Sequence, residues 1–332
     1  MTKRLAIIGA GSWGTALAIV AARVGHDVTL WSRDAAVVKS INEDRVNSRY
    51  LTFASIPEEV KATNEVAIAV DQASLVFLAA PSHAVRELLT AASPALDESA
   101  IIVSVSKGIE IETGKRISEI TKEVVGGTYA FVCLSGPSFA KEVVMGQPTA
   151  IVAASKDAAA ARTVQNDLSF ENLRIYTNND VVGTELGGSV KNVMAIAAGM
   201  TTGSGLGSNS VAALITRGLA EITRLARREG GQLETLMGLA GLGDLVLTCT
   251  GSLSRNRYVG EQLGKGVPLD VISAGMNEVA EGIRTTLAVK QLADRAGLEM
   301  PITNEVKAVL YDGKSVQDAV AQLMSRPLRE EG

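Results

Sequence analysis

Lys191 stands in the segment Glu185-Leu186-Gly187-Gly188-Ser189-Val190-Lys191-Asn192. If this segment is helical, Thr184, Gly187, Gly188, Ala195 and Ala198 share the face of Lys191, because side chains three, four and seven positions apart stack on one side. An ammonium group on a stripe of small residues could meet a flat ligand at close range. Its apolar neighbours would lower the lysine pKa toward the range useful for proton transfer. A lysine snorkelling to a domain edge would give the same pattern. A second segment runs from Ala240-Gly241-Leu242-Gly243-Asp244-Leu245 to Ser252-Leu253-Ser254-Arg255-Asn256-Arg257 and is rich in glycine and hydroxyl side chains. Arg255, flanked by Ser254 and Asn256, is suited to clamp a phosphate or carboxylate. Asp244 could orient Lys191 or bind a substrate hydroxyl. Glu281 either joins this chemistry or is ordinary negative charge at a helix N-terminus.

A third chemical signal opens the chain. Leu5-Ala6-Ile7-Ile8 leads into Gly9-Ala10-Gly11-Ser12-Trp13-Gly14 and then Thr15-Ala16-Leu17-Ala18. A short apolar run that turns at glycines spaced G-x-G-x-x-G and enters a helix is the pattern of a dinucleotide site. Gly9 permits the tight turn, Gly11 lets a pyrophosphate approach the backbone, and Gly14 lets helix and strand pack closely. The helix N-terminus adds N–H groups and positive dipole. The same stretch superficially resembles a signal peptide, with a basic start and small residues at Ala21-Ala22. Glycines at this spacing would weaken a signal helix, and Asp27-Val28-Thr29-Leu30-Trp31 reads as the next strand of a βαβ unit. That strand ends Trp31-Ser32-Arg33-Asp34. An acidic residue there would hold a ribose 2′-hydroxyl, whereas a guanidinium would meet a 2′-phosphate. Arg33 therefore predicts that NADP is accepted. Asp34 could supply the contact expected for NAD, and Arg33 could be a solvated loop residue.

These groups need a scaffold. Strand signals at Leu5–Ile8, Val28–Trp31, Leu75–Ala80, Ile101–Val105 and Phe131–Leu134 alternate with helical stretches such as Ser12–Val24 and Ala84–Ala92. The alternation predicts an α/β fold, an N-terminal Rossmann doubly wound parallel sheet. An extended segment at Thr149–Ala154, a helix from Asp157 to Leu168 and a strand at Leu173–Thr177 complete it. From Val181 onward, helix-period segments dominate: Gly183–Gly199, Ser210–Glu229, Val279–Arg295 and Val316–Met324. The expected domains are residues 1–180, a dinucleotide-binding sheet, and residues 181–332, an all-α substrate-binding and catalytic unit. Loops at the strand ends carry the site in such sheets. They hold Pro81-Ser82-His83, Ser106-Lys107-Gly108 and Ser135-Gly136-Pro137-Ser138-Phe139-Ala140, where Ser138 looks like a helix cap. His83 reads as a helix residue lining the cleft rather than an acid or base. Lys107 faces an anionic ligand or is an exposed loop lysine.

Composition narrows the function. The chain has 332 residues and a formal net charge of −4, with no basic stripe of the kind nucleic acid requires. No apolar run reaches membrane-spanning length. Cys133 and Cys249 form no metal-ligand pattern, and only two histidines are present, so a His-rich metal site is excluded. Two distant cysteines suit a reducing cytoplasm. The polar stretch from Ser325 to Gly332 is expected to fray.

Taken in order, Gly9–Gly14, Ala80-Pro81-Ser82, Ser106-Lys107-Gly108, Ser135-Gly136-Pro137-Ser138, Glu185 to Asn192, Gly241-Leu242-Gly243-Asp244-Leu245, Ser254-Arg255-Asn256 and Val279-Ala280-Glu281-Gly282 resemble the bacterial NAD(P)-dependent glycerol-3-phosphate dehydrogenase family over nearly the whole chain. The resemblance implies reversible reduction of dihydroxyacetone phosphate to sn-glycerol 3-phosphate, a precursor of phospholipids. It implies that Lys191 donates and accepts the proton. Lys107, Gly136, Ser138, Lys191, Asp244, Ser254, Arg255 and Asn256 would contact substrate. Ser12, Trp13, Arg33, Lys107, Ala140, Arg255, Val279 and Glu281 would contact NADP or NAD beside the glycine loop, with Tyr50 a further candidate. Thr248 and Asn192 stand second to Asp244 and Lys191. Position 32 is serine rather than basic, which leaves Arg33 alone to favour NADP. A homodimer is expected from the family. The rival classes are dehydrogenases of the 6-phosphogluconate or 3-hydroxyacid type, which the Gly-Leu-Gly-Asp and Ser-Arg-Asn segments oppose, and a nucleotide-sensing regulator, for which no DNA-binding module is visible.

Overall fold

The computed structural model describes residues 2–276 and 280–327. Among the described residues there are ten strands: β1 (Arg4–Ile8), β2 (Asp27–Trp31), β3 (Val46–Asn47), β4 (Leu51–Ser55), β5 (Val60–Thr63), β6 (Leu75–Leu78), β7 (Ile101–Ser104), β8 (Phe131–Ser135), β9 (Thr149–Ala154) and β10 (Leu173–Asn178). The first-half helices are α1 (Ser12–Arg23), α2 (Ala35–Glu43), α3 (Val66–Val70), α4 (Val85–Ala92), α5 (Ile117–Val125), α6 (Ala140–Val144) and α7 (Ala158–Leu168). Eight strands form one sheet in the order β10-β9-β8-β7-β6-β1-β2-β5. From β8 to β5 all neighbours are parallel. The chain winds outward from β1 in both directions, so the strand order reverses between β1 and β6, where open α/β sheets bind ligands.

Strict alternation along the central strands explains their continuous apolar sequence. Leu5, Ile7, Leu75 and Phe77 enter the core on one face, and Ala6, Ile8, Val76 and Leu78 enter the core on the other. A parallel strand covered on both faces must be apolar at every position. β1 and α1 thus lie in the core of the sheet and its helical cover.

Three features differ from the sequence-based expectation. β9 runs antiparallel to β8, and β10 follows it in parallel. The link from β8 holds one five-residue helix, α6, so the chain turns back beside β8 without recrossing the sheet. The short edge strand β5 and the β3–β4 hairpin were not foreseen. Both are brief, and β4 exposes three of its five residues, so neither has a long apolar run. Phe139, not Ser138, is the N-cap of α6, and no side chain caps that helix. Ser138 Oγ instead donates to the Gly136 carbonyl at 3.1 Å.

After β10 the chain is helical: α8 (Val181–Gly203), α9 (Ser208–Arg228), α10 (Leu233–Met237), a π-helical turn (Leu239–Gly243), α11 (Asp244–Thr250), α12 (Arg255–Gly264), α13 (Leu269–Ala274), α14 (Glu281–Ala296), α15 (Pro301–Tyr311) and α16 (Val316–Met324). Asp180 caps α8 by accepting from the Gly183 N–H at 2.9 Å. α8 is buried on all sides, from Val181 to Thr201 with Val182 alone excepted, as expected of a helix hydrophobic all round. Glycines allow α12 to reach its backbone. A Cβ on Gly260 would stand 1.9 Å from the Ile196 carbonyl oxygen, and one on Gly199 would stand 2.0 Å from that of Arg257. Gly260→Ala must force the helices apart and is expected to cost about 1–3 kcal/mol or more of unfolding free energy. Urea unfolding measures it against Gly127→Ala, whose Cβ meets nothing within 4 Å. Equal midpoints would contradict the close α8–α12 contact. Among the described residues, no helix is long and apolar enough to cross a membrane.

Candidate active site

Lys191 emerges from the buried middle of α8 and is 5% exposed. Its ammonium donates to Asp244 Oδ1 and, at 2.8 Å, to Thr248 Oγ1. Asp244 is fully buried at the start of α11. The π-helical turn before it brings the backbone of Ala240 and Gly241 against Gly187 of α8, and such turns often re-aim side chains at functional sites. The small stripe around Lys191 is therefore partly filled by protein. Gly187 receives the Ala240 carbonyl, and Gly188 faces Ser135 and Lys107.

Lys107 arrives from the loop after β7. It donates to Asp244 Oδ2 at 2.7 Å and to the Gly136 carbonyl at 3.2 Å. One buried carboxylate thus joins two lysines. Burial pushes the Lys191 pKa down, and the nearby Lys107 charge pushes the same way; Asp244 opposes both, leaving Lys191 lowered to about 7. Desolvation of an ammonium outweighs even a close counter-ion when that counter-ion is shared. Ser135 Oγ is buried beside Gly188 and Lys107 and has no hydrogen-bond partner among the described residues. It is a polar atom that sequence reasoning passed over because it reads as the end of an apolar strand.

Asn192, one residue after the lysine, donates to the Lys107 carbonyl at 3.3 Å and accepts from Asn256 at 3.0 Å. Asn256 in turn accepts from the Gly282 N–H at 2.9 Å. These bonds tie α8, α12 and α14 to the loop after β7. Ser254 caps α12, accepting from the Arg257 N–H at 3.2 Å. Arg255 follows as the first residue of α12 and is exposed. Glu281, at the start of α14, accepts from the Ser82 N–H at 3.3 Å and from its hydroxyl at 3.0 Å. Burial raises the Glu281 pKa, opposed by the Ser82 hydrogen bonds and by the charges of Arg255 and Arg284. The sheet and the helical body are thus joined across the site. A second join lies outside it, where buried Glu185 accepts from Arg116 at 2.8 Å and from the Ser118 hydroxyl at 2.6 Å. His83 follows Ser82, and burial with the facing charges of Arg284 and Arg33 lowers its pKa. Among the described residues it makes no hydrogen bond to Lys191 or Asp244, whose side chains bond to each other, Thr248 and Lys107.

The glycine loop has the shape a dinucleotide needs. Gly9 has φ +127° and sits where a Cβ would be 2.6 Å from the Ala79 carbonyl oxygen. Gly14 would put a Cβ 1.9 Å from the Gly9 carbonyl oxygen, whereas at Gly11 nothing lies within 4 Å. The open position is the one a pyrophosphate would approach, and α1 has no side-chain cap and no acidic residue in its first turn. Trp13 is half-buried in that turn. Ser12 Oγ donates to the Tyr50 carbonyl at 2.8 Å, which brings the β3–β4 hairpin to the loop. Arg33 is exposed after β2. Ala140 opens α6, which packs on α1. Val279 lies outside the described residues.

A dinucleotide loop on a doubly wound sheet, coupled to a buried lysine in a helical body, defines a nicotinamide-nucleotide oxidoreductase. More narrowly, the chain belongs to the NAD-dependent glycerol-3-phosphate dehydrogenase family, whose N-terminal model matches residues 4–161 and whose C-terminal model matches residues 180–321. A glycerol-3-phosphate dehydrogenase [NAD(P)+] from Koribacter versatilis is 55% identical over 329 residues, covering 98% of each chain. One from Citrifermentans bemidjiense is 49% identical over the full length of both. The crystal structure of glycerol-3-phosphate dehydrogenase from Coxiella burnetii superposes with a TM-score of 0.95 at 40% identity, covering 98% of this chain and 99% of that one.

Proposed function

We propose that the chain reversibly reduces dihydroxyacetone phosphate to sn-glycerol 3-phosphate, with Lys191 as the proton donor and acceptor. The observation that carries this reading is the buried Lys191–Asp244–Lys107 array beside the N-terminus of α12, where Arg255 stands. Reduction of a ketone adds a hydride at carbon and a proton at oxygen. The nicotinamide nucleotide, when bound, supplies the hydride. Lys191 Nζ donates the proton to the ketone oxygen and its charge stabilises the developing alkoxide. Asp244 and Thr248 hold that ammonium in place. Arg255, with the first N–H groups of α12, anchors the substrate phosphate and so fixes the reacting carbon. Lys107, Gly136 and Ser138 line the opposite wall from the sheet side.

Residues 1–180 are proposed to bind the nucleotide and residues 181–332 the substrate. Arg33 faces the 2′-phosphate of NADP, and NADH is accepted without that contact. The product feeds phospholipid synthesis. Buried free thiols at Cys133 and Cys249 suit the reducing cytoplasm in which we place the enzyme, acting as a homodimer. The test is product analysis: one sn-glycerol 3-phosphate should form for each NADPH consumed, and NADPH consumption without it withdraws the reading.

The lowered Lys191 pKa gives a directional pH dependence. Reduction needs the ammonium, so its kcat should fall as pH rises through about 7. Oxidation needs the neutral amine and should rise over the same interval. Steady-state rates in both directions across this range check it. Parallel profiles would remove Lys191 from the proton transfer.

A further inference from the structure

Asp34 occupies the position from which an acidic residue would accept the adenosine ribose 2′-hydroxyl, yet its carboxylate is already engaged twice. One oxygen caps α2 by accepting from the Ala36 N–H at 2.9 Å. The other accepts from Arg49 at 2.7 Å. Arg49 comes from the β3–β4 connection, far from β2 in sequence, and its guanidinium also lies 5.2 Å from the centre of the Tyr50 ring.

The connection is fixed to the glycine loop. Asn47 is completely buried. Its amide donates to the Ala10 carbonyl at 2.9 Å and to Thr15 Oγ1 at 2.8 Å. Its carbonyl accepts from the N–H groups of Arg49 at 3.3 Å and Tyr50 at 3.1 Å. Ser12 Oγ holds the Tyr50 carbonyl from the other side. Arg49 is thereby held at the mouth of the nucleotide site with half of its side chain exposed. An exposed ion pair is easily exchanged for a more highly charged partner.

We propose that Arg49 is a second cofactor-selecting residue: it masks the carboxylate of Asp34 and, together with Arg33, receives the 2′-phosphate of NADP. The inference rests on the NADP assignment made above. The Asp34 carboxylate is already charge-paired with Arg49, which weakens it as an acceptor for a ribose hydroxyl, and Arg33 is exposed one residue before it. When the 2′-phosphate is present, Arg49 turns from Asp34 to the phosphate, and Arg33 meets it from the strand end. When only a hydroxyl is present, Asp34 stays paired with Arg49, and the nucleotide loses the acceptor it would otherwise have.

The test is calorimetric binding of 2′,5′-ADP and 5′-ADP, and of NADPH and NADH, to the full chain and its variants. Arg49→Ala should weaken 2′,5′-ADP and NADPH about tenfold. It should leave 5′-ADP and NADH unchanged or tighter, because Asp34 is released. Asp34→Asn keeps the helix cap and removes the competing charge, so NADPH should bind severalfold more tightly with no gain for NADH. Equal weakening of phosphorylated and unphosphorylated ligands by Arg49→Ala would overturn the proposal, since Arg49 would then serve the hairpin fold alone. If Arg33→Ala shifts the NADPH to NADH ratio and Arg49→Ala does not, this inference fails and the NADP assignment stands. If neither variant shifts the ratio, both fail.

Discussion

Lys191→Ala should lower kcat for dihydroxyacetone phosphate reduction by roughly 10²- to 10⁴-fold, with NADPH affinity near that of the unmodified enzyme. The expectation follows from where the ammonium sits. It is the buried cation of the site that combines a lowered pKa with a fixed position, between Asp244 and Thr248. The variant should still fold, because Asp244 keeps its second partner, Lys107, at 2.7 Å. A buried carboxylate left with no cation would be far more damaging. Steady-state kinetics with fluorescence titration of NADPH separates the two quantities. A variant retaining more than about a tenth of the original kcat would exclude Lys191 as the acid–base group.

Arg255→Lys should cost on the order of 2–4 kcal/mol in kcat/KM for dihydroxyacetone phosphate. Lysine keeps the charge but loses the planar fork that grips a phosphate through two parallel hydrogen bonds. Arg255 stands at the first position of α12, where Ser254 has already satisfied one backbone donor as the cap. The arginine is exposed, so the substitution should leave the fold intact. Unphosphorylated dihydroxyacetone offers the guanidinium nothing to hold. It should be a poor substrate for the unmodified enzyme and lose much less on substitution. Equal losses for the two ketones would assign Arg255 to the cofactor or to folding, and the phosphate clamp would be abandoned.

The parts of the molecule visible in the sequence are those where one local rule dominates. β1 and the glycine loop follow from an apolar run and three spaced glycines, and the structure uses those glycines for a turn, an open approach and a close packing contact. Lys191 stood out because a lysine among small and apolar residues is rarely a surface residue. What escaped depends on partners distant in the chain. Nothing in Asn47-Ser48-Arg49-Tyr50 announces that Asn47 will bond to Ala10, or Arg49 to Asp34. The reversal of β9 depends on how short the connection through α6 is, not on the strand's own residues. Ser138 has the side chain of a helix cap, but the turn places Phe139 at that position. The stripe beside Lys191 looked like room for a ligand, and part of it is occupied by the backbone of residues 240–241. Small residues announce close approach without saying what approaches. Asn256, expected at the substrate, also uses its side chain to bond Asn192 and Gly282, which its own neighbours in sequence do not announce.

The measurement that bears most directly on the central claim is the rate of NADPH oxidation by the purified chain over a panel of carbonyl substrates. The panel holds dihydroxyacetone phosphate, dihydroxyacetone and 3-oxoacids; 6-phosphogluconate, an alcohol, is assayed beside it by the reduction of NADP+. A site built from a phosphate anchor at α12 and a proton donor at Lys191 predicts kcat/KM highest for dihydroxyacetone phosphate, with the carboxylate-bearing compounds near background. A preference for a 3-oxoacid or for 6-phosphogluconate would contradict it, and no turnover with any member would contradict it more broadly.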